Sequence, residues 1–490
     1  MDQKQAPLLD AVTEYIKRRP AYFCVPGHRY EKGTDPAFRQ AIGDSALCMD
    51  LTETPLTDDL HAPQGPIKKA QDLAAQLWGA KHSYFLVGGS SCGNQAMIIA
   101  ATAKKRKICI ARNAHSSAFS GLAASGASPV YIVPEYIPEL GIYAAVTPEK
   151  ARRMFSENPD CGALLVVSPN YYGMASDIGA LAKVCHEYGA LLLVDEAHGA
   201  HCYFSDKMPS GALKLGADMC VQSIHKTGGA LTQSSILHIN SDAVDVSLVE
   251  DSLRMLQSTS PSYLLMSSLD AARRHFALSG EKSCDTALAL AELARNEIRS
   301  IPGFTCSGTE LAGRYGIASV DPTRLVISAE KAGLGGFELK KILFEKYNVD
   351  TELADEKNVL AIITGANTEE DIRSLIAALK KTAAGCVNCK APAAGECTDN
   401  KTPADNVPLP QIAMTPRQAF FAEKKRIPWE NAVGTVSAEM IAPYPPGIPL
   451  ICPGEVISKS AWERIERVRS LGGLIHGISD PNLKTVLTVG

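Results

Sequence analysis

Residues 222–235 read QSIHKTGGALTQSS, which sets Lys226 between a histidine and two glycines, with hydroxyl side chains on both flanks. An ordinary surface lysine is solvated charge, so what would make this one useful must come from its neighbours. A second stretch, VDEAHGAH at 194–201, puts Asp195 at the end of an apolar run. In isolation that carboxylate would cap the next turn. Paired with a lysine that also follows an apolar run, it describes a site for pyridoxal phosphate: Lys226 forms the Schiff base and Asp195 holds the proton on the ring nitrogen.

Such a cofactor needs its phosphate held and its ring covered. VGGSSCGNQAMIIAATAKK (87–105) is an apolar run, then glycines and hydroxyls, then a helical pattern whose first amides would face an anion. Ser90 and Ser91 stand there as donors, and Ser223 and His225 supply more beside the lysine. His115, in RNAHSS, can lie flat on one ring face while still titrating near neutrality. The short side chain of Ala197 leaves room on the other face. His198 can reach the ring hydroxyl or a substrate carboxylate, and the residues leave both open.

The elements that must position these groups are legible as short continuous apolar runs between helical stretches: YFLV (84–87), KICIA (107–111), VYIV (130–133), ALLVVS (163–168), ALLLVD (190–195) and DMCVQS (218–223). Continuous rather than alternating runs are strands covered on both faces, so an α/β layer with a largely parallel sheet is predicted. In such sheets chemistry gathers beyond the carboxyl ends of the strands. That rule selects GGSSCGN, RNAHSS, SPNYYG, DEAHGAH and SIHKTGG, which hold every residue named so far. PIKKAQDLAAQLWG is an amphipathic helix opening at Pro66 and closing at Gly79, and Cys284 to Arg299 reads as a long helix. The predicted organisation is an N-terminal segment (1–65), a large cofactor-binding domain (66–320), a small α/β domain (321–382), a Pro/Gly/Ala-rich linker (383–410) and a C-terminal α+β unit (411–490) containing the proline-rich PYPPGIPLICPGE.

With 46% apolar and 21% charged residues the composition is globular. A net charge of −4 supplies no field for a polyanion, which argues against nucleic acid as a partner. No apolar run is long enough to span a bilayer, and the first thirty residues carry charge throughout, so no signal peptide is read. Fourteen cysteines, many in apolar stretches, suit a reducing, cytoplasmic setting. The cysteines at 386, 389 and 397 lack a fourth ligand at zinc spacing and read as linker, so no metal is expected.

The motifs S-x-H-K-T, VDEAHGAH, GGSS before a helix, RNxHxS, STSPSYLLMSSLDAAR (258–273) and YPPGIPLICPGE, with VPGHRYEKG and DLTETPLTDDLHAPQGPI near the N-terminus, resemble the ornithine/lysine/arginine decarboxylases. These are fold-type-I (aspartate aminotransferase-like) pyridoxal phosphate enzymes, and the likeness is to the short form without a receiver-like wing domain. The resemblance implies decarboxylation of a basic amino acid, arginine first and lysine or ornithine next, in polyamine metabolism. It implies the roles given above for Lys226, Asp195 and His115, and a homodimer in which Thr259 and Ser260 of STSPSY reach the neighbouring subunit's phosphate. Asp58 and Glu455 are candidates to meet the far end of a basic substrate. The DEAHG form also resembles α-oxoamine synthases, which keeps an acyl transferase open, although those lack SIHKT and YPPGIP. A non-catalytic scaffold is the third reading, and the intact Lys226, Asp195 and His115 argue against it.

Overall fold

The structure is a computed structural model that describes residues 1–388, 409–444 and 447–490, with only the backbone described at 387 and 388. At its centre is a seven-stranded sheet in the order 82–86, 235–239, 219–222, 191–195, 161–167, 107–111, 128–132. The last five strands pair in parallel, and Ser235–Ile239 runs antiparallel to both of its neighbours. The six expected runs are all strands, within two residues at each end. Ser235–Ile239 is the addition: the connection after Gln222 holds one helical turn, Ile224–Thr227, and brings the chain straight back beside the strand it left.

Helices cover both faces of the sheet. Helix Pro66–Trp78 follows the sequence reading, with Pro66 in its first turn and Gly79 in the left-handed conformation as its C-cap. Its buried face carries Ile67, Ala70, Leu73, Ala74 and Trp78. The indole N–H of Trp78 donates to Ala200 O (3.2 Å), fixing this helix to the loop that follows Asp195. Burial of each such large apolar side chain contributes about 1.5–3 kcal/mol.

The long helix begins twenty-one residues before the sequence reading placed it, spanning Tyr263–Arg299, with the Ser262 side chain capping its N-terminus. It leads to a four-stranded antiparallel sheet in which Thr305–Ser307 pairs with Arg324–Ser328. The small unit therefore starts upstream of residue 321, and between its strands the segment Ile317–Val320 returns to pair with Met174–Ser176 of the large unit. Helix Glu369–Asn388 runs on through residues read as linker. Cys389 and Cys397 lie outside the described residues.

The C-terminal unit has its own core, with Trp429, Ile441, Ile451, Ile457, Ile465 and Val486 among its buried members. It packs on the large unit through the short helix Pro416–Phe421 and through Cys452, which lies in the large unit's core. Among the described residues, no helix is long and apolar enough to cross a membrane.

Candidate active site

All five loops selected from the sequence follow the carboxyl ends of strands of the central sheet. Backbone bonds lock neighbouring loops together, Ser168 N to Asp195 O (3.1 Å) and Glu196 N to Val221 O (3.0 Å). Lys226 sits in the single turn after Gln222, and its Nζ lies 3.0 Å from His198 Nε2. Tyr171 completes this group: its ring lies 4.3 Å from the His198 ring and 5.1 Å from Lys226 Nζ.

Burial pushes the Lys226 amine below the ordinary lysine range, against the charges of Asp195 and Glu352, which favour its ammonium form. His198 is driven well below the usual imidazole range, first by burial and then by the positive charges of Lys226 and Arg324. It is therefore a neutral ring whose Nε2 shares a hydrogen bond with Lys226 and whose second nitrogen is Nδ1. That Nδ1 is buried and has no hydrogen-bond partner among the described residues.

Asp195, 3% exposed, is held at both oxygens. Asn94 Nδ2 donates to Oδ2 (2.8 Å) and the Ala197 amide donates to Oδ1 (3.2 Å). Asn94 also donates to Ser117 Oγ (3.0 Å), and Ser117 is bonded to His115 Nδ1 (2.9 Å), which in addition accepts from the Ser117 amide as the cap of helix Ser116–Ser125. A hydrogen-bonded chain thus runs from Asp195 through Asn94 and Ser117 to His115. Burial lowers the His115 pKa, so its ring is a neutral, flat surface within the field of Asp195 and Lys226.

Behind Asp195, Glu196 is enclosed and accepts from the Ala212 amide (2.7 Å), Tyr203 Oη (2.9 Å) and Gln222 Nε2 (2.7 Å). Burial raises its pKa to about 7. Gln222 directly precedes Ser223, so this bond ties the loop of Asp195 to that of Lys226.

Helix Gly89–Ala101 begins at Gly88 with no side-chain cap, which leaves its first amides free for an anion. Gly89 has φ +72°, and a Cβ on Gly93 would lie 2.6 Å from Val221 Cγ2, so both glycines allow the tight turn and the close seat of this helix on the sheet. Ser90 Oγ accepts from Ser223 Oγ (3.0 Å), and Ser91 follows in the same first turn. Thr227 Oγ1, buried beside Lys226, has no partner among the described residues. Free amides, clustered hydroxyls, a sheltered lysine and an oriented carboxylate fit a phosphorylated, planar, carbonyl-bearing cofactor.

Of the remaining expected residues, His225 lies half-buried next to Lys226, with its pKa lowered by burial and then by that neighbour's charge. Thr259 and Ser260 are exposed, in a segment joined to the N-terminal region by His61 Nε2 on Ser258 O (2.8 Å). Asp58 and Glu455, read as candidates for a basic side chain, are engaged elsewhere. Asp58 accepts from the amides of Gln64, Gly65, Ile67 and Lys68 at the start of helix Pro66–Trp78, and Glu455 forms a buried ion pair with Arg112 (2.9 Å). Sequence reasoning gave no role to Asn94, Ser117, Tyr171, Arg324 or Glu352. Asn94 had a signal, since it lies one helical turn after Ser90 and so on the same face.

The family profile for the major domain of Orn/Lys/Arg decarboxylases matches residues 6–371, and that for their C-terminal domain matches residues 400–472. The chain belongs to the Orn/Lys/Arg decarboxylase family. It is 40% identical to an arginine decarboxylase of Bacillus subtilis over 489 residues, covering 100% of this chain and 99% of that one. Among solved structures it resembles the constitutive lysine decarboxylase of Escherichia coli, with a TM-score of 0.82 at 21% identity over 99% of this chain and 82% of that one. A Sphingomonas wittichii serine palmitoyltransferase shares the fold less completely, with a TM-score of 0.55 at 15% identity over 72% of this chain and 85% of that one. The fold is that of the fold-type-I pyridoxal phosphate enzymes, and family membership decides for a decarboxylase over the acyl transferase reading.

Proposed function

We propose that this decarboxylase converts arginine to agmatine with pyridoxal phosphate as cofactor, in the polyamine metabolism of the cytoplasm. The observation that carries the substrate is the end-to-end identity to an arginine decarboxylase at 40%. Lys226 would bind the cofactor covalently, Asp195 would pair with its ring nitrogen, and His115 and Ala197 would flank the ring. Ser90, Ser91, Ser223, His225 and the free amides of helix Gly89–Ala101 would take the phosphate, joined by Thr259 and Ser260 of a second copy in a homodimer or larger even-numbered assembly. When bound, pyridoxal phosphate supplies an electron sink for the pair left on Cα as the carboxylate departs as CO₂.

The chain's own contribution is orientation and proton management. Asn94 and the Ala197 amide fix the Asp195 carboxylate so that it faces one direction. Tyr171 and His198 exclude water from the Lys226 amine. Lys226, its pKa lowered, is the group suited to return a proton to Cα. His198, as its hydrogen-bonded neighbour, meets either the ring hydroxyl or the substrate carboxylate. Glu352 is exposed and its charge acts on both Lys226 and Tyr171, which supports it as the carboxylate that meets a substrate cation. A guanidinium offers such an acceptor a planar pair of donors.

The test is CO₂ release from arginine, lysine and ornithine, with agmatine, cadaverine and putrescine identified as products. Arginine is expected to turn over fastest. Release from none of the three, or condensation of an amino acid with an acyl thioester instead, would overturn the proposal.

A further inference from the structure

The C-terminal unit reaches the catalytic loops at one place with unusual density. Arg112 lies at the start of the four-residue connection that ends at His115, between strand Lys107–Ala111 and helix Ser116–Ser125. Its guanidinium is almost wholly enclosed and bonds the C-terminal unit. Nη2 donates to Glu455 Oε2 (2.9 Å) and to Leu450 O (3.1 Å), and Nη1 donates to Cys452 Sγ (3.0 Å). The rings of Tyr131 and Phe119 lie 4.9 and 5.4 Å from the guanidinium carbon. Glu455, 1% exposed, also accepts from the Cys452 amide (2.7 Å) at the same oxygen, Oε2, that meets the arginine.

A second anchor lies at the far end of the same helix. Arg417, from helix Pro416–Phe421 of the C-terminal unit, donates from Nη1 to Ala123 O (3.3 Å) and Ala124 O (3.0 Å), carbonyls of the last turn of helix Ser116–Ser125. A cation there satisfies groups that have no partner within the helix and complements its dipole. The helix that His115 caps is therefore gripped at both ends by residues from one unit, more than 290 positions away in sequence.

We propose that the C-terminal unit is a positioning element of the active site, acting through Glu455 on Arg112 and through Arg417 on the helix end to fix the loop that presents His115. The proposal rests on the reading of His115 as the residue that covers the cofactor ring. Arg112, Glu455 and Arg417 are positioning residues and touch no reacting atom. The ion pair is the stronger grip, because a charge left alone at this depth has neither water nor counter-charge.

Three variants test this: R417A, E455Q, and the double variant R112M/E455M, in which both charges leave together so that the fold is retained as a buried apolar pair. Amide hydrogen exchange is measured on the apoprotein, together with the circular dichroism of the bound cofactor and kcat and KM of the loaded enzyme. Exchange of residues 113–118 is expected to rise about tenfold or more in E455Q and in R112M/E455M, against little change in the strands 161–167 and 191–195, with R417A acting on residues 121–126. In both pair variants kcat should fall and the cofactor's dichroism weaken while KM changes less. Exchange that rises equally across the whole sheet, or a double variant with native protection at 113–118, would overturn the proposal. H115A separates the two readings: if it keeps native kcat, the role of His115 falls, whereas if it loses kcat and E455Q does not, the positioning by Glu455 falls.

Discussion

The Nζ of Lys226 and the Nε2 of His198 are 3.0 Å apart, and burial keeps the histidine neutral, so the amine shares its hydrogen bond with an uncharged ring. Replacing His198 by Ala removes this partner and opens the amine to water. Turnover is expected to fall by about a hundredfold, the scale of a lost proton-handling partner. Covalent attachment of the cofactor should survive, which borohydride trapping followed by peptide mapping to Lys226 would show. An H198A enzyme with native kcat would mean that the pair has no part in catalysis.

The lowered Lys226 pKa has a consequence for assembly of the holoenzyme. A depressed value means that the neutral amine appears as pH rises through a point below the ordinary lysine range. The rate at which apoprotein takes up pyridoxal phosphate, followed by the growth of its absorbance band, is expected to rise with pH and reach half its limit below that range. A midpoint at the ordinary lysine value would show that the amine is not sheltered.

Asp195 and Asn94 should separate by magnitude. D195A removes the partner of the ring nitrogen and is expected to lower kcat by about 100- to 1000-fold while leaving Lys226 attached. N94A removes one hydrogen bond to a charged group, about 1.5–3 kcal/mol, so a loss of roughly tenfold or more in kcat is expected. Equal losses in the two variants would mean that Asn94 does more than orient the carboxylate.

Glu196 offers a stability experiment independent of turnover. Its folded pKa of about 7 stands above the ordinary 4.5, so its contribution is fully present below pH 4.5 and is lost as pH rises through 7. The shift corresponds to about 3 kcal/mol as an order of magnitude. The stability of the native apoprotein relative to E196Q, measured by chemical unfolding, should therefore decline between pH 5 and pH 7.5 and level off above. A difference independent of pH would place the titration elsewhere.

For the substrate, E352Q is expected to raise KM for arginine by about tenfold, the cost of a charge partner at a partly solvated site, with a smaller change in kcat. Unchanged KM would release Glu352 from that role.

The loops of the site were legible because each follows a strand buried on both faces, and such strands leave unbroken apolar runs such as KICIA and ALLLVD. Ser235–Ile239 was not, because His238 interrupts the run; in the structure that histidine is buried on Ser83 Oγ (2.7 Å) and Gln222 Oε1 (3.3 Å), partners no local pattern reveals. The first half of helix Tyr263–Arg299 hid behind the serines and proline that precede it. The Arg112–Glu455 pair spans 343 positions, a distance at which one sequence carries no signal, and so Glu455 was read toward substrate.

Helix Tyr263–Arg299 has 37 residues, about 55 Å of continuous rod. Near its beginning Arg273 bonds the backbone at Gln3, and near its end Arg295 bonds the carbonyls of Pro322 and Arg324. One beam thus fastens the first residues of the chain to the small sheet. Because that sheet takes Thr305–Ser307 from before residue 321 while Ile317–Val320 crosses back to Met174–Ser176, the two units are stitched rather than joined end to end. No single cut of the chain yields either one whole, and a fragment ended at residue 320 would carry an unmatched strand and the whole beam with nothing for its far end to rest on.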